Sequence, residues 1–206
     1  MTMKSILRLL AMVATTSAVF AACNSKNQET TQDKQATTLA AVEVPENTAA
    51  LQDTIKGSIP SVATGKIGEA NLKLTYHAPG VKGRTIWGGL VAYDQVWVTG
   101  AHMATTLETD KAIVIGGKEI PAGKYALFTI PGREEWTLII NKNYKQHLAD
   151  NYDQKDDLVR IQVKPTTLEQ HQERLKYEIN SKSSTEGVIN ISWDKLGITA
   201  PVKTAS

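Results

Sequence analysis

Cysteine is almost absent from this 206-residue chain, in which Cys23 is the single one. One cysteine cannot form an intrachain disulfide, so the fold must be stable through its core alone, even in an oxidising compartment. The chain also lacks an excess of either charge, with 23 basic and 21 acidic side chains. A balanced charge argues against nucleic acid as a partner, because such partners need a basic surface.

Catalytic signatures are missing as well. The sequence has no Gly-x-Ser-x-Gly nucleophile elbow, no phosphate-binding loop and no dinucleotide-binding fingerprint. We interpret its scattered acidic residues as solvated side chains of loops and strand ends rather than as a catalytic pair. The sequence therefore indicates no catalytic residue, and whether the protein is an enzyme stays open.

A long membrane-spanning run is absent, but a shorter apolar run follows Lys4 and Arg8 near the N-terminus. Residues 9–22 are uncharged and mostly apolar, which falls short of the roughly 20 residues that a bilayer requires. The layout is that of a secretory signal, and Phe20-Ala21-Ala22-Cys23 resembles the lipobox of bacterial lipoproteins. We therefore predict a signal peptide over residues 1–22 and acylation, for instance by palmitate, of Cys23.

The acyl chains of such a protein would attach it to a membrane. We expect a cell-envelope protein anchored in the outer membrane, with its folded part on the periplasmic or the cell-surface side. Residues 24–38 are rich in Gln, Thr, Asn and Lys and cannot bury enough apolar surface to fold. We interpret residues 23–57 as the acylated cysteine and a flexible tether, followed by a folded domain over residues 58–206.

Apolar and polar residues alternate repeatedly within this domain, which predicts half-buried strands. Residues 125–130 are apolar on both faces and fit a central strand, and Gly116-Gly117 predicts the turn of a hairpin. The pattern predicts an all-β, antiparallel β-sandwich of jelly-roll-like type. The alternating runs cover residues 72–76, 136–140, 159–163, 175–179 and 189–193.

One short helix is predicted within residues 143–152, because Tyr144, His147 and Leu148 share a helical face and Asn143 could cap it. The spacing of Thr166 and Glu169 mimics a capping box. A helical turn and an extended loop are therefore both open for residues 167–173.

Four motifs of the domain resemble the DUF2911 family, and the resemblance runs from about Ser58 to Val202. It implies a secreted or lipid-anchored protein, and the family has no established biochemical activity that could be carried over. The motifs are Tyr-His-Ala-Pro-Gly-Val-Lys-Gly at 76–83, Trp-Gly-Gly-Leu-Val at 87–91, Val-Trp-Val-Thr-Gly-Ala at 96–101 and Pro-Ala-Gly-Lys-Tyr-Ala-Leu-Phe-Thr-Ile-Pro at 121–131.

This chain also departs from the pattern that the resemblance implies. Many family members have Asn-Glu where this chain has His102-Met103, and Arg where it has Val98. His77 stands where Ser or Arg is frequent. A role that depends on the missing residues is not carried over to this chain.

Three histidines form one candidate site, and two of them stand at positions that depart from the family pattern. His77, His102 and His147 are predicted at strand ends, in loops or on the short helix, where functional sites usually lie. Glu108 would share a face with His102 if residues 102–108 were extended. Imidazoles and a carboxylate outside the cytoplasm would suit Zn or Cu. In the alternative interpretation, His147 packs within the short helix while His77 and His102 bind loop backbone.

Aromatic residues supply a second candidate site. Trp87, Tyr93 and Trp97 are concentrated in one third of the domain. They could belong to the core, or they could line a ligand groove in which stacking provides affinity.

Two functions of different classes follow from these observations. The first is a non-catalytic binding or structural module of the cell envelope whose ligand or protein partner is unknown. The second is a metal-binding protein or metal-dependent enzyme that uses the histidines. The lack of any compact catalytic motif favours the first.

The N-terminal pattern leads to a prediction about Cys23. We expect Cys23→Ser to leave the domain folded but to release it from the membrane, because the acyl chains provide the attachment energy. Membrane fractionation combined with a radioactive or clickable lipid label measures both effects. A variant that stays in the membrane fraction, or a wild-type chain that takes up no label, would overturn the lipoprotein interpretation.

Overall fold

The computed structural model describes residues 53–205. The predicted signal peptide, Cys23 and most of the predicted tether lie outside the described residues. Residues 49–206 form one compact unit. Within the described part, no helix is long and apolar enough to cross a membrane.

The described residues form two antiparallel sheets, and a short 3-10 turn at Gln154–Asp156 is their only helical element. The strands are β1 (Ile59–Ile67), β2 (Ala70–Ala78), β3 (Thr106–Thr109), β4 (Ile113–Ile115), β5 (Lys118–Ile120), β6 (Gly123–Ile130), β7 (Trp136–Asn141), β8 (Asp157–Val163), β9 (Thr166–Ser181) and β10 (Glu186–Thr204). One sheet has the order β1-β2-β3-β6-β7-β8, and the other has the order β5-β4-β10-β9.

The two sheets share one apolar core, to which alternate residues of their strands contribute. In β2, Leu72 and Leu74 are buried while Lys73 between them is exposed, and in β10 Ile189 and Ile191 are buried. Successive side chains of a strand point to opposite faces, so this alternation places one face of each sheet in the core. The predicted all-β sandwich is confirmed.

Strand β6 is buried on both faces, as predicted for residues 125–130. Leu127 belongs to the core between the sheets, whereas Phe128 belongs to a second, smaller apolar cluster. Tyr144 and Tyr152 of the segment after β7 pack against that second cluster, and the Tyr152 ring lies 5.5 Å from the Phe128 ring. The segment that follows β7 therefore covers the outer face of the sheet.

The helix predicted within residues 143–152 is wrong, because this segment is a series of turns. The fully buried Asn141 donates from Nδ2 to the Asp153 carbonyl at 3.0 Å, and its Oδ1 accepts from the Asn143 N–H at 2.8 Å. Gln146 likewise donates to the Asn143 carbonyl at 2.6 Å. These side chains satisfy backbone groups that a helix would pair internally.

The structure also tests the predictions for residues 167–173 and for the Gly116-Gly117 hairpin. Residues 167–173 are neither a helical turn nor a loop, because they lie within β9. The hairpin is confirmed, since Ile115 pairs with Lys118 across Gly116-Gly117. Both glycines have positive φ, 59° and 77°, as a two-residue turn of type I′ requires.

Candidate functional site

A cleft of about 870 Å³ opens at one end of the sandwich. Its volume falls within the roughly 300–1,000 Å³ of small-molecule sites. One strand residue, Trp193 of β10, contributes to its lining. The rest comes from loop residues within the segments 57–58, 79–84, 90–98, 100–102 and 148–150.

The floor of the cleft is aromatic. The Trp97 and Trp193 rings stack with an interplanar angle of 18° and a centroid distance of 5.7 Å. Trp87 meets both rings edge-on, at 5.8 Å and 5.9 Å, and its other neighbour is the buried Trp136 at 4.7 Å. These geometries are the favourable ones for aromatic pairs, so the floor is continuous with the core.

Glycines shape the loop that carries Trp87. Gly88 has a φ of +77°, and a Cβ at this position would lie 2.8 Å from the Tyr93 ring. A Cβ on Gly89 would lie 2.4 Å from the Thr85 carbonyl oxygen. Only glycine fits both places without displacing a neighbour, which gives the Trp-Gly-Gly motif its physical reason.

Both sheets hold the segment that carries Trp97. Its N–H donates to the Thr129 carbonyl of β6 at 2.7 Å, and the Thr129 N–H donates back at 3.0 Å. The carbonyl of the buried Thr99 accepts from the Tyr177 hydroxyl of β9 at 2.7 Å. Burial raises the pKa of Tyr177 well above its usual range, so this phenol remains a hydrogen-bond donor.

Backbone strain is concentrated around the cleft. Among residues 53–205, six non-glycine residues have positive φ, and Lys82, His102 and Leu148 of these line the cleft. A fourth, Thr99, is flanked on both sides by lining residues. A left-handed conformation is unfavourable for such residues and persists only where the surroundings impose it, often at functional sites. One imposed contact is the hydrogen bond of 2.6 Å from the Leu148 N–H to the His102 carbonyl.

Exposed apolar side chains are concentrated at the mouth. Leu90 and Leu148 line the cleft although they are 50% and 39% exposed. Met103 follows the lining residue His102, and Ile55 lies two residues before Gly57, another lining residue. Of the five large exposed hydrophobic residues in the described part, only Val62 of β1 is away from the cleft. Large exposed apolar side chains that share one site, as Leu90 and Leu148 do, are typical of binding surfaces.

The polar lining is mostly cationic. Lys82 and Arg84 follow β2 in one loop, and Arg84 donates from Nε to the Val81 carbonyl at 3.1 Å. The acidic lining residue Asp150 is hydrogen-bonded to His147 Nδ1 at 2.9 Å. Lys82 is in turn paired with Asp53, so Arg84 is the charged lining residue without a carboxylate partner within residues 53–205.

Two buried polar atoms of the lining residues have no hydrogen-bond partner within residues 53–205. They are the Ser58 hydroxyl and the Trp193 indole N–H. Buried polar groups are normally paired. A ligand with a hydrogen-bonding group could satisfy either of them.

Arg174 of β9 fastens the chain where it enters the domain. Its guanidinium contacts the Asp53 carboxylate with two nitrogens and donates to the carbonyls of Ile55 at 2.6 Å and Gly57 at 2.7 Å. Lys82 adds an ion pair of 3.3 Å to Asp53. Residues 53–57, which the sequence assigned to the tether, are therefore bonded to the domain beside the cleft.

The structure brings two of the four predicted metal ligands together. The His77 and His102 rings lie edge-on with centroids 5.2 Å apart. Burial lowers the pKa of His77, and the neighbouring His102 lowers it further, so His77 is a neutral imidazole at neutral pH. His102 is on the cleft wall, and His77 lies next to it on β2.

The other two predicted ligands do not join this pair. Glu108 is paired with Lys124 at 3.0 Å and stands opposite Lys73 on β2. His77 is four residues further along β2, which places it roughly 13 Å from that point. The His147 backbone lies beside Met103, but its side chain is bound to Asp150. No group of three or more His, Cys, Asp or Glu that could hold a metal ion exists within residues 53–205, so the predicted four-residue centre does not form there.

The residues predicted to line a ligand groove do not all lie in the cleft. Of the predicted groove residues, Trp97 lines the cleft and Trp87 packs behind its floor. Tyr93 instead lies under the Arg133 guanidinium, 4.7 Å from its ring centroid. His171, the fourth histidine of the chain, pairs with Asp194 at 3.3 Å.

Sequence reasoning missed several cleft residues. The sequence pattern around Trp193 is that of an ordinary core position in an alternating strand. No neighbouring residue in the sequence indicates a site. Lys82 and Arg84 did carry a signal, since they lie in or next to a family motif and between two glycine-containing turns. Basic residues in such a loop are candidates for ligand contact.

The fold and the site define an antiparallel two-sheet sandwich with an aromatic-floored cleft at one end. Residues 58–202 match the family described as a protein of unknown function (DUF2911), and the chain belongs to that family. No curated protein and no solved structure matches the chain.

The bonds of Asp53 lead to a pH-dependence prediction. Hydrogen bonding to Arg174 holds the pKa of Asp53 well below its usual range. The ion pair therefore adds stability above the ordinary Asp pKa of about 3.9 and loses it as the pH falls toward the folded value. We expect Asp53→Asn to lower the melting temperature at neutral pH, by an amount that shrinks below about pH 4.

Thermal melts of both proteins over a pH series provide the measurement. Asp150→Asn is the matched control, because the exposed pair of Asp150 with His147 adds little stability. A melting-temperature difference that is absent at neutral pH, or that does not change with pH, would show that Asp53 does not fasten the chain.

Proposed function

We propose that this chain is a cell-envelope lipoprotein whose sandwich is a non-catalytic binding module with a largely apolar small-molecule ligand in the cleft. The observation that carries the proposal is the coincidence of strain, exposed apolar side chains and an aromatic floor at one place. The strain and the exposed apolar side chains are unfavourable for the domain alone. Together they are what a ligand-binding surface requires.

The energetics support a ligand of moderate affinity. Full burial of a Leu side chain is worth about 1.5–3 kcal/mol, and Leu90 and Leu148 are 50% and 39% exposed at the mouth. Stacking on Trp97 would add to this gain. Because both sheets hold the Trp97 segment, little ordering would be needed on binding, and preorganisation of this kind favours affinity.

A cleft-filling variant tests the proposal. We expect the uncharged fluorescent probe N-phenylnaphthylamine to bind the wild-type chain, and Ala101→Trp to weaken binding by about tenfold or more, which corresponds to about 1.4 kcal/mol. Ala101 lines the cleft, so the added indole occupies ligand space. Ser184→Trp, in the exposed turn between β9 and β10, is the matched control. Equal affinity of the probe for all three proteins would overturn the proposed site.

The second candidate function is metal binding by His77 and His102 alone. The observation that favours it is the proximity of these two rings, 5.2 Å between centroids. A Zn ion would need an imidazole nitrogen from each ring at about 2.0–2.1 Å. Solvent or a ligand in the cleft would complete its coordination, so such a site would be open rather than closed.

Metal titration of chelator-treated protein tests this second candidate. We expect His102→Ala to weaken Zn or Cu binding by about tenfold or more, since loss of one of two protein ligands removes the chelate. His171→Ala is the control, because His171 is engaged with Asp194 on another part of the domain. Calorimetry that finds no binding to the wild type, or the same binding to His102→Ala, would eliminate the metal function.

A further inference from the structure

The lining of the cleft is largely apolar from the stacked indoles to the exposed residues at its mouth. Val91, Val96 and Val98 stand with the stacked indoles in the lining, and Leu90 and Leu148 extend it to the exposed mouth. A compact polar metabolite would leave this path uncovered. A ligand that is apolar along its length, such as an acyl chain, would cover it and gain free energy in proportion to the area buried.

The charges at the mouth indicate the other end of the ligand. Arg84 uses Nε and one terminal nitrogen on the Val81 and Gly80 carbonyls, which leaves further N–H donors of its five. The Lys82 ammonium is already paired with Asp53, whereas the Ser58 hydroxyl has no partner within residues 53–205. Such a set of donors fits an anionic head group that accepts hydrogen bonds.

The place where the chain enters the domain indicates the source of the ligand. Arg174 and Lys82 hold Asp53 beside the mouth. Residues 24–52, 29 in number, separate Asp53 from Cys23. A chain of 29 residues spans at most about 100 Å, so an acylated Cys23 would hold the domain within that distance of the membrane.

We propose that the cleft takes the acyl chain of an anionic membrane lipid, whose head group binds Arg84 at the mouth. This inference rests on the proposed binding function and specifies its ligand. The exposed apolar residues that line the mouth, Leu90 and Leu148, are then the surface that meets the bilayer while a lipid enters.

The experiment measures displacement of N-phenylnaphthylamine from the chain that begins at Asn24, which retains the whole compact unit of residues 49–206. Monomeric myristoyl-lysophosphatidylglycerol is compared with myristoyl-lysophosphatidylcholine, which has the same chain and no net charge, and with glycerol phosphate. We expect the anionic lipid to displace the probe at about a tenfold lower concentration than the zwitterionic one, a difference of about 1.4 kcal/mol. Both phosphates can bind Arg84, but the choline cation of the zwitterionic lipid offsets that attraction. Glycerol phosphate should not displace the probe.

Two pairs of variants assign these effects to residues. Arg84→Gln should remove the preference for the anionic lipid while both lipids still displace the probe, and Lys118→Gln of β5 should leave that preference unchanged. Leu148→Asp should weaken both lipids, whereas Val62→Asp, at a similarly exposed apolar position on β1, should weaken neither.

The possible failures are distinguishable. If the probe binds but neither lipid displaces it, the lipid ligand is wrong while the binding function stands. Equal displacement of the probe by both lipids also overturns the proposal, and so does displacement by glycerol phosphate alone. A chain that dimerises and thereby shields its mouth from both lipids overturns it as well. If the probe does not bind at all, the proposed function fails together with the inference.

Discussion

The packing of four indole rings is the interaction on which the rest of this structure depends. Trp136 and Trp193 come from opposite sheets, and Trp87 and Trp97 come from loops that reach between them. Each such side chain buries about 150–250 Å², worth about 4–6 kcal/mol. Three of the four indole N–H groups have no acceptor within residues 53–205, at a cost of about 1–3 kcal/mol each. Apolar burial therefore outweighs lost hydrogen bonding, and the cluster closes the core at the same end where it forms the cleft floor.

Because the floor is rigid, the walls can be irregular and still be well positioned. Each wall is fixed to the sandwich by a buried or multiply bonded polar side chain rather than by regular secondary structure. Thr99 ties one wall to β9, Arg174 ties the incoming chain to β2 and β9, and Asn141 with Gln146 holds the segment that carries Leu148. Loops fixed in this way can keep a ligand-binding geometry without the rotamer and loop entropy that mobile loops lose on binding.

The sequence predicted the sheets well because one physical signal dominates in them. Period-two alternation, as in the run that includes Leu72 and Leu74, identifies a strand regardless of its partners, and Gly116-Gly117 could form only a tight turn. The helix expected around Tyr144 failed because, of its predicted face, only Tyr144 packs against the Phe128 cluster, while Leu148 lines the cleft. Amide side chains replace the helical hydrogen bonds. The cleft was largely unpredictable. Its members are spread over six parts of the chain, and their proximity depends on register and loop paths that no local pattern encodes.

The strain at the cleft mouth is the strongest reason to regard it as more than an accident of folding. A non-glycine residue in a sparsely populated backbone region costs about 1–3 kcal/mol, and Lys82, His102 and Leu148 each have positive φ at this one site. A domain whose total stability is about 5–15 kcal/mol gives up a substantial part of it to hold these three residues. Leu148 is unfavourable twice, since its side chain is also 39% exposed. A glycine would relieve the backbone and a polar residue would relieve the exposure, yet either change would remove the apolar contact that this side chain offers at the mouth. The combination is therefore most simply explained by a ligand that covers Leu148 when it binds.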